Sequence, residues 1–147
     1  MPMNKSAVQK TILLADDDPD DVEIFIAVLH DIDATVAVHA VSSGLGIFEY
    51  LKDNGNHRPD AIFLDINMPE MSGWQCLSSL KQEGSTKDIP VVMYSTSSHH
   101  RDKQIAIELG ASGFITKPSD LKTLEKVLRA VASNLTSDLK SAIRSLQ

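Results

Sequence analysis

The sequence is poor in three features that would each assign a protein to a particular class. It has one cysteine, Cys76, among 147 residues, so no disulfide can form within the chain, and this composition fits a reducing cytoplasm. No apolar run approaches the ~20 residues of a membrane-spanning helix, and residues 1–10 lack the apolar core of a secretory signal. The net charge of −6 argues against general affinity for nucleic acid. We therefore expect a cytoplasmic protein that binds neither membranes nor nucleic acid.

Short apolar runs alternate with amphipathic segments along most of the chain. The apolar and β-branched runs predict five strands, at 11–15, 35–41, 61–64, 90–95 and 112–116. Apolar residues spaced by three or four predict a helix after each strand. The buried face predicted for the first helix consists of Val22, Phe25, Ile26, Leu29 and Ile32. For the last helix it consists of Leu121, Leu124, Leu128, Val131 and Leu135.

Capping residues indicate where the predicted helices begin and end. The predicted N-caps are Asp18, Ser42 or Ser43, Ser72 and Ser119. Pro19 follows the first of these caps at the position where a helix tolerates proline, and Gln75 completes a capping-box pattern with Ser72. Gly110 is suited to end the fourth helix, and Pro90 to begin the fourth strand.

This strict alternation predicts an α/β fold in which right-handed crossovers join parallel strands. The expected architecture is a flavodoxin-like, doubly wound, five-stranded parallel sheet with strand order 2-1-3-4-5 and five helices. The length is that of one domain. We divide the chain into a mobile N-terminal lead-in over residues 1–9, a domain over 10–134 and a C-terminal helical extension over 135–147.

Polar side chains follow four of the five predicted strands at the points where the strands end. Asp16 and Asp17 follow the first strand, Asp65 the third, and Lys117 the fifth, while Ser95 ends the fourth. Because all strands of a parallel sheet end on the same side, these groups should lie close together at one edge. Three carboxylates repel one another unless a cation lies between them, and carboxylate oxygens suit Mg²⁺. A carboxylate nucleophile, a metal, a hydroxyl and an ammonium group together predict phosphoryl transfer onto Asp65.

These residues resemble the receiver domains of the response regulators of two-component signalling. The resemblance extends from about residue 10 to about residue 134. It is carried by Asp16-Asp17, by Leu64-Asp65-Ile66-Asn67-Met68-Pro69 with Gly73 eight residues past the aspartate, by Ser95, and by Lys117-Pro118.

The resemblance implies a role for each of these positions. Asp65 would be the phosphoacceptor, and Asp16, Asp17, Asp65 and the backbone carbonyl of Asn67 would bind Mg²⁺. Ser95 and Lys117 would bind the phosphoryl group, and Ser95 would act as a switch with Phe114, which stands where tyrosine is frequent. We expect Ser95 to move inward on phosphorylation and Phe114 to follow into the vacated space. The resemblance also implies a cis Lys117–Pro118 peptide bond.

The expected function is that of a stand-alone receiver rather than an enzyme, limited to its own phosphorylation and dephosphorylation. A histidine kinase or a histidine phosphotransfer protein would donate the phosphoryl group, and the face formed by the fourth helix, fifth strand and fifth helix would contact partners. The alternative is a phosphohydrolase that forms an aspartyl phosphate, but Asn67 stands where such enzymes commonly carry a second acid. A nucleotide-binding role is disfavoured because no glycine-rich loop follows the first strand.

The last residues continue an apolar stripe through Leu135, Leu139, Ile143 and Leu146. They could extend the last helix, or Thr136-Ser137-Asp138 could cap a separate short helix. The stripe predicts an interface for a homodimer or a partner helix. The alternative is that this segment folds back over the core of its own chain.

Overall fold

The computed structural model describes residues 10–55 and 57–146 as alternating strands and helices. The predicted lead-in over 1–9 lies outside the described residues. The strands are β1 (Lys10–Ala15), β2 (Val36–Val41), β3 (Ala61–Leu64), β4 (Val91–Ser95) and β5 (Gly113–Thr116). The helices are α1 (Pro19–Ile32), α2 (Gly44–Asp53), α3 (Gly73–Gln82), α4 (His100–Glu108), α5 (Leu121–Ser133) and α6 (Leu139–Arg144).

The strands form one parallel sheet in the order β2-β1-β3-β4-β5, which confirms the predicted topology. Side chains alternate between its two faces, and each face has its own apolar layer. Phe25 and Leu29 of α1 pack with α5 and α6 on one face, and Cys76 and Leu77 of α3 pack with α2 and α4 on the other. None of the helices in the described residues is long and apolar enough to cross a membrane.

Three of the predicted helix starts have the expected caps. The Asp18 side chain accepts hydrogen bonds from the amides of Asp20 and Asp21, and Ser43 rather than Ser42 caps α2. Ser72 and Gln75 form the reciprocal capping box of α3. Gly110 has a φ of 98° just after α4, in the left-handed region that glycine adopts without strain.

Other details of the sequence prediction were wrong. Asp120 rather than Ser119 caps α5, because both of its carboxylate oxygens accept hydrogen bonds from Thr123, which a serine hydroxyl cannot match. Leu121, the first residue of the helix, is therefore 61% exposed instead of buried. Ile26 is 37% exposed, because it lies beside the α1 face that packs on the sheet. β4 begins at Val91, one residue after Pro90.

The described residues contain no cis peptide bond, so the expected cis Lys117–Pro118 bond is absent. The trans form is also the more stable isomer of an X–Pro bond by about 0.5–1 kcal/mol.

The C-terminal segment forms a sixth helix beyond the five predicted for the fold, and this is the separate short helix that was one of the two alternatives for the segment. α5 ends at Ser133, and Asp138 caps α6 by accepting a hydrogen bond from the amide of Ser141. Leu139 and Ile143 are buried in the same apolar layer as α1 and α5. A Cβ atom on Gly113 would lie 2.7 Å from Cγ2 of Ile143, so α6 sits directly on β5. The segment therefore folds back over its own core, which was the alternative to an interface.

Candidate functional site

The side chains predicted to meet at the carboxyl edge of the sheet lie around the ammonium group of Lys117. Its Nζ atom is 2.8 Å from Oδ2 of Asp16, 2.8 Å from Oδ2 of Asp21 and 3.2 Å from Oδ2 of Asp65. The Lys117 side chain is only 9% exposed, so water screens these contacts weakly. The structure thus brings Asp16, Asp65 and Lys117 together as the strand ends predicted.

The loops that follow β1 and β3 hold the two inner carboxylates in place. Asp65 donates its amide hydrogen to the carbonyl of Ala15, and its Oδ1 accepts a hydrogen bond from the amide of Ile66. Asp16 donates its amide hydrogen to Val41, and its Oδ1 accepts from the amide of Asp18. Their second oxygens, Oδ2 in each case, remain directed toward Lys117.

Asp16, Asp17 and Asp65 could together hold a metal ion. One carboxylate oxygen from each lies within 4.8 Å of the others, and Asp17 is exposed to solvent. Oδ2 of Asp16 is buried, and its contact with Lys117 is an ion pair of 2.8 Å that lacks hydrogen-bond geometry. A buried carboxylate oxygen without a hydrogen bond is suited to binding a cation, and three carboxylates are the hard oxygen ligands that Mg²⁺ prefers. The residues present therefore fit a divalent cation.

Burial and charge oppose each other in this cluster. Burial raises the pKa of Asp16, and the neighbouring Lys117 only partly offsets this effect. Burial by itself would lower the pKa of Lys117, but its contacts with Asp16 and Asp21 outweigh burial and hold the pKa above its usual value. Lys117 is therefore a permanent cation at the site. A second cation would relieve the remaining negative charge.

Ser95 reaches the same edge through the pairing of β4 with β5. It lies opposite Thr116 in the sheet, and its carbonyl accepts a 2.7 Å hydrogen bond from the amide of Lys117. The buried Ser95 hydroxyl accepts a 3.2 Å hydrogen bond from the amide of Ser97. Ser97 is itself linked to α4, because its hydroxyl donates to Asp102 over 2.6 Å.

The two remaining predicted site residues, Asn67 and Phe114, differ in their exposure to solvent. Asn67 is exposed in the loop after β3. Phe114 is 3% exposed and packs in the apolar layer beneath α3 and α4. The expected movement of Phe114 into the space vacated by Ser95 would therefore begin from a position that is already buried in this structure.

Sequence reasoning missed two residues that contact Lys117. In the sequence Asp21 is only one of the acids near the start of the predicted first helix, yet its carboxylate accepts a hydrogen bond from Lys117 across 96 positions of the chain. Asp21 lies in the first turn of α1, and no local pattern in the sequence predicts its contact with Lys117. The ring of Tyr94 has its centroid 5.6 Å from Lys117 Nζ, and burial raises the pKa of its hydroxyl to about 12.

Comparison with known proteins identifies the family that carries this arrangement. Residues 12–129 match the response regulator receiver domain. The chain belongs to the response regulator receiver family. The response regulator Rcp1 of Synechocystis sp. is 31% identical over 134 residues, which cover 88% of this chain and 91% of Rcp1.

Two solved receiver structures are similar to this one. The Mn²⁺-bound form of Rcp1 has a TM-score of 0.73 at 32% identity, covering 85% of this chain and 93% of that one. The phosphorylated cyanobacterial phytochrome response regulator RcpA has a TM-score of 0.77 at 29% identity, covering 86% and 93%. The predicted flavodoxin-like fold and the predicted function as a phosphoacceptor receiver domain are therefore confirmed. Receiver domains bind a divalent metal ion, which agrees with the acidic cluster.

Proposed function

We propose that this receiver accepts a phosphoryl group on Asp65. The 3.2 Å contact between Asp65 Oδ2 and the cation of Lys117 carries the proposal. In in-line transfer, an Asp65 carboxylate oxygen bonds to phosphorus as the bond from phosphorus to the donor breaks. Lys117 neutralises charge on the transferred oxygens, and the Ser95 hydroxyl donates a hydrogen bond to one of them. Asp21 is a positioning residue, because it holds the ammonium group of Lys117 at the site.

The metal ion at this site is proposed to be Mg²⁺. The carboxylates of Asp16, Asp17 and Asp65 and the backbone carbonyl of Asn67 would hold it. When bound, it would withdraw charge from the phosphoryl oxygens. The hard oxygen character of all four donors supports Mg²⁺, and the Mn²⁺-bound Rcp1 structure supports a divalent ion in a relative.

We further propose that the donor is a histidine kinase or a histidine phosphotransfer protein in the cytoplasm. The protein would then act through contacts with other proteins and would catalyse only its own phosphorylation and dephosphorylation. The face formed by α4, β5 and α5 is the proposed output surface. Phosphorylation would draw Ser95 toward Asp65, change the hydrogen bond that links Ser95 to Ser97 and α4, and stabilise the buried position of Phe114.

Residues 10–134 are proposed as the receiver domain and 135–147 as its C-terminal extension. A homodimer through the last helix and this extension has weaker support than the sequence indicated, because Leu135, Leu139 and Ile143 are buried within the chain. Sedimentation of the full chain across a concentration series tests for the dimer, and a constant monomer mass would exclude it.

Acetyl phosphate with Mg²⁺ tests the phosphoacceptor directly. Mass spectrometry should detect an adduct of about 80 Da, and peptide mapping should place it on Asp65. Asp65→Asn should abolish it, whereas Asp60→Asn, an acid at the other end of β3, should not. Rapid release of phosphate without an adduct would favour the phosphohydrolase alternative. An adduct that persists in Asp65→Asn would show that another residue is the acceptor.

A further inference from the structure

A groove of about 970 Å³ lies between α1, α2 and the edge strand β2. It begins beside Asp17 and extends along α1. The α1 residues that line it are Pro19, Val22, Glu23, Ile26 and Ala27. Because the intervals between these residues alternate between three positions and one, all five lie on a single face of the helix. This face includes Ile26, which the sequence pattern predicted to be buried and which instead lies partly open to solvent.

The opposite wall combines the apolar residues Ala40 and Val41 with Ser42, Ser43, Gly46 and Glu49, and most of these side chains are small. Ala40 of β2 is exposed, and Gly46 lets the first turn of α2 rest on Val41, where a Cβ atom would lie 2.8 Å from the valine Cβ. The α1 wall from Pro19 to Ala27 is ~12 Å long, because each helical residue rises 1.5 Å. This length matches two turns of a helix that presents one apolar row.

All charges at the groove have the same sign. Asp16, Asp17, Glu23 and Glu49 line it, and the described residues that line it include no lysine, arginine or histidine. A groove with an apolar floor, whose charged lining residues are all acidic, is complementary to a segment with one apolar face flanked by lysine or arginine. Helices of this kind bind apolar grooves through residues at i, i+3, i+4 and i+7.

We propose that this groove, which we call the α1–α2 groove, binds a basic amphipathic helix of a partner protein. The apolar row of the helix would pack against Val22, Ile26 and Ala40, and its cations would pair with Glu23 and Glu49. The site lies apart from the proposed output face on α4, β5 and α5. The inference does not depend on Asp65 being the phosphoacceptor.

The test uses the full chain and a fluorescein-labelled leucine–lysine peptide of about 14 residues, with leucines on one helix face. Fluorescence anisotropy in EDTA measures affinity without any metal bound, so the result is independent of the proposed metal site. NMR shifts of the ¹⁵N-labelled chain locate the peptide. We expect the largest shifts at the residues that line the α1–α2 groove, and no binding of a scrambled peptide or of one with glutamate in place of lysine.

Matched variants separate the groove from general charge attraction. Ala27→Trp should weaken binding about tenfold or more by filling the groove, whereas Ile24→Trp, on another face of the same helix, should not. The double variant Glu23→Gln/Glu49→Gln should weaken binding about fivefold. The control is the double variant Glu108→Gln/Glu125→Gln, which removes the same charge outside the groove and should have less than half that effect. Circular dichroism checks that each variant is folded.

Several outcomes would overturn the proposal. Equal effects of the groove variants and their controls, or peptide shifts centred elsewhere, would show that the groove does not select the helix. If dodecyltrimethylammonium below its micelle concentration shifted the groove residues while the peptide did not, the groove would be a small-molecule site. Self-association of the chain that Ala27→Trp abolished would identify a second copy as the occupant.

Discussion

Gly73→Ala should destabilise the protein and displace the proposed phosphoacceptor. Gly73 is the first residue of α3, and a Cβ atom there would lie 2.1 Å from the Asp65 carbonyl oxygen and 2.9 Å from Cα of Ile66. Its φ is not positive, so the constraint is space rather than backbone conformation. Ordinary contacts of a Cβ atom begin at 3.4 Å, and the helix and the Asp65 loop must therefore separate by roughly 1.3 Å.

The free energy follows from two opposing contributions. Overpacking costs about 1–3 kcal/mol, and the upper end applies because the obstructing atoms belong to the backbone and cannot rotate away. Alanine restricts the unfolded chain more than glycine does, and this effect stabilises the folded state by ~0.4–1 kcal/mol. We therefore expect the free energy of unfolding to fall by about 2 kcal/mol. For a urea m-value of about 2 kcal/mol/M, the unfolding midpoint should fall by about 1 M.

Urea titration followed by the fluorescence of Trp74 measures this change, and the acetyl phosphate reaction measures its effect on Asp65. Gly84→Ala is the matched control, because a Cβ atom on Gly84 would meet nothing within 4 Å. That control should remain within about 0.5 kcal/mol of the parent protein. A Gly73→Ala midpoint equal to that of the control would refute the conclusion that α3 rests directly on the Asp65 loop.

Three further predictions follow from the packing and the charges. Lys117→Met should lower the free energy of unfolding in EDTA by about 3 kcal/mol, because it leaves the buried carboxylates of Asp16 and Asp65 without their cation. Mg²⁺ should then raise the melting temperature of the variant more than that of the parent protein. An equal or smaller rise would contradict the conclusion that Mg²⁺ and Lys117 neutralise the same carboxylates. Ile143→Ala should cost about 2–4 kcal/mol in urea unfolding, whereas Leu121→Ala should cost under about 0.5; equal losses would show that α6 is not part of the core. Burial raises the pKa of the Cys76 thiol to about 12, so at pH 8 only about one molecule in ten thousand carries the thiolate. Ellman's reagent should react slowly with native Cys76 and rapidly in urea, and rapid reaction of the native protein would contradict its burial.

Local patterns in the sequence were sufficient to predict the architecture and the centre of the site. A buried parallel strand must be apolar on both faces, so short apolar runs indicated where the strands lie. Because every parallel strand ends at the same edge, the positions of Asp16, Asp65 and Lys117 after three such runs predicted their meeting. The capping box of α3 was likewise predictable, because Ser72 and Gln75 lie within four consecutive residues.

The sequence could not predict contacts that depend on how distant segments pack. Asp21 reaches Lys117 only because α1 packs with its first turn beside the residue that follows β5, and no local pattern encodes that packing. The apolar row through Leu139 and Ile143 was evident, but whether the chain or a partner covers it depended on the space above Gly113.

The sequence by itself determined which residues are apolar, where the strands end and which chemical groups follow them, because these properties reside in neighbouring residues. Only the tertiary structure decided which apolar faces are covered, which carboxylates share Lys117 and where a groove stays open. Those outcomes depend on the relative positions of elements far apart in the chain, and many sequences with the same local pattern could pack differently.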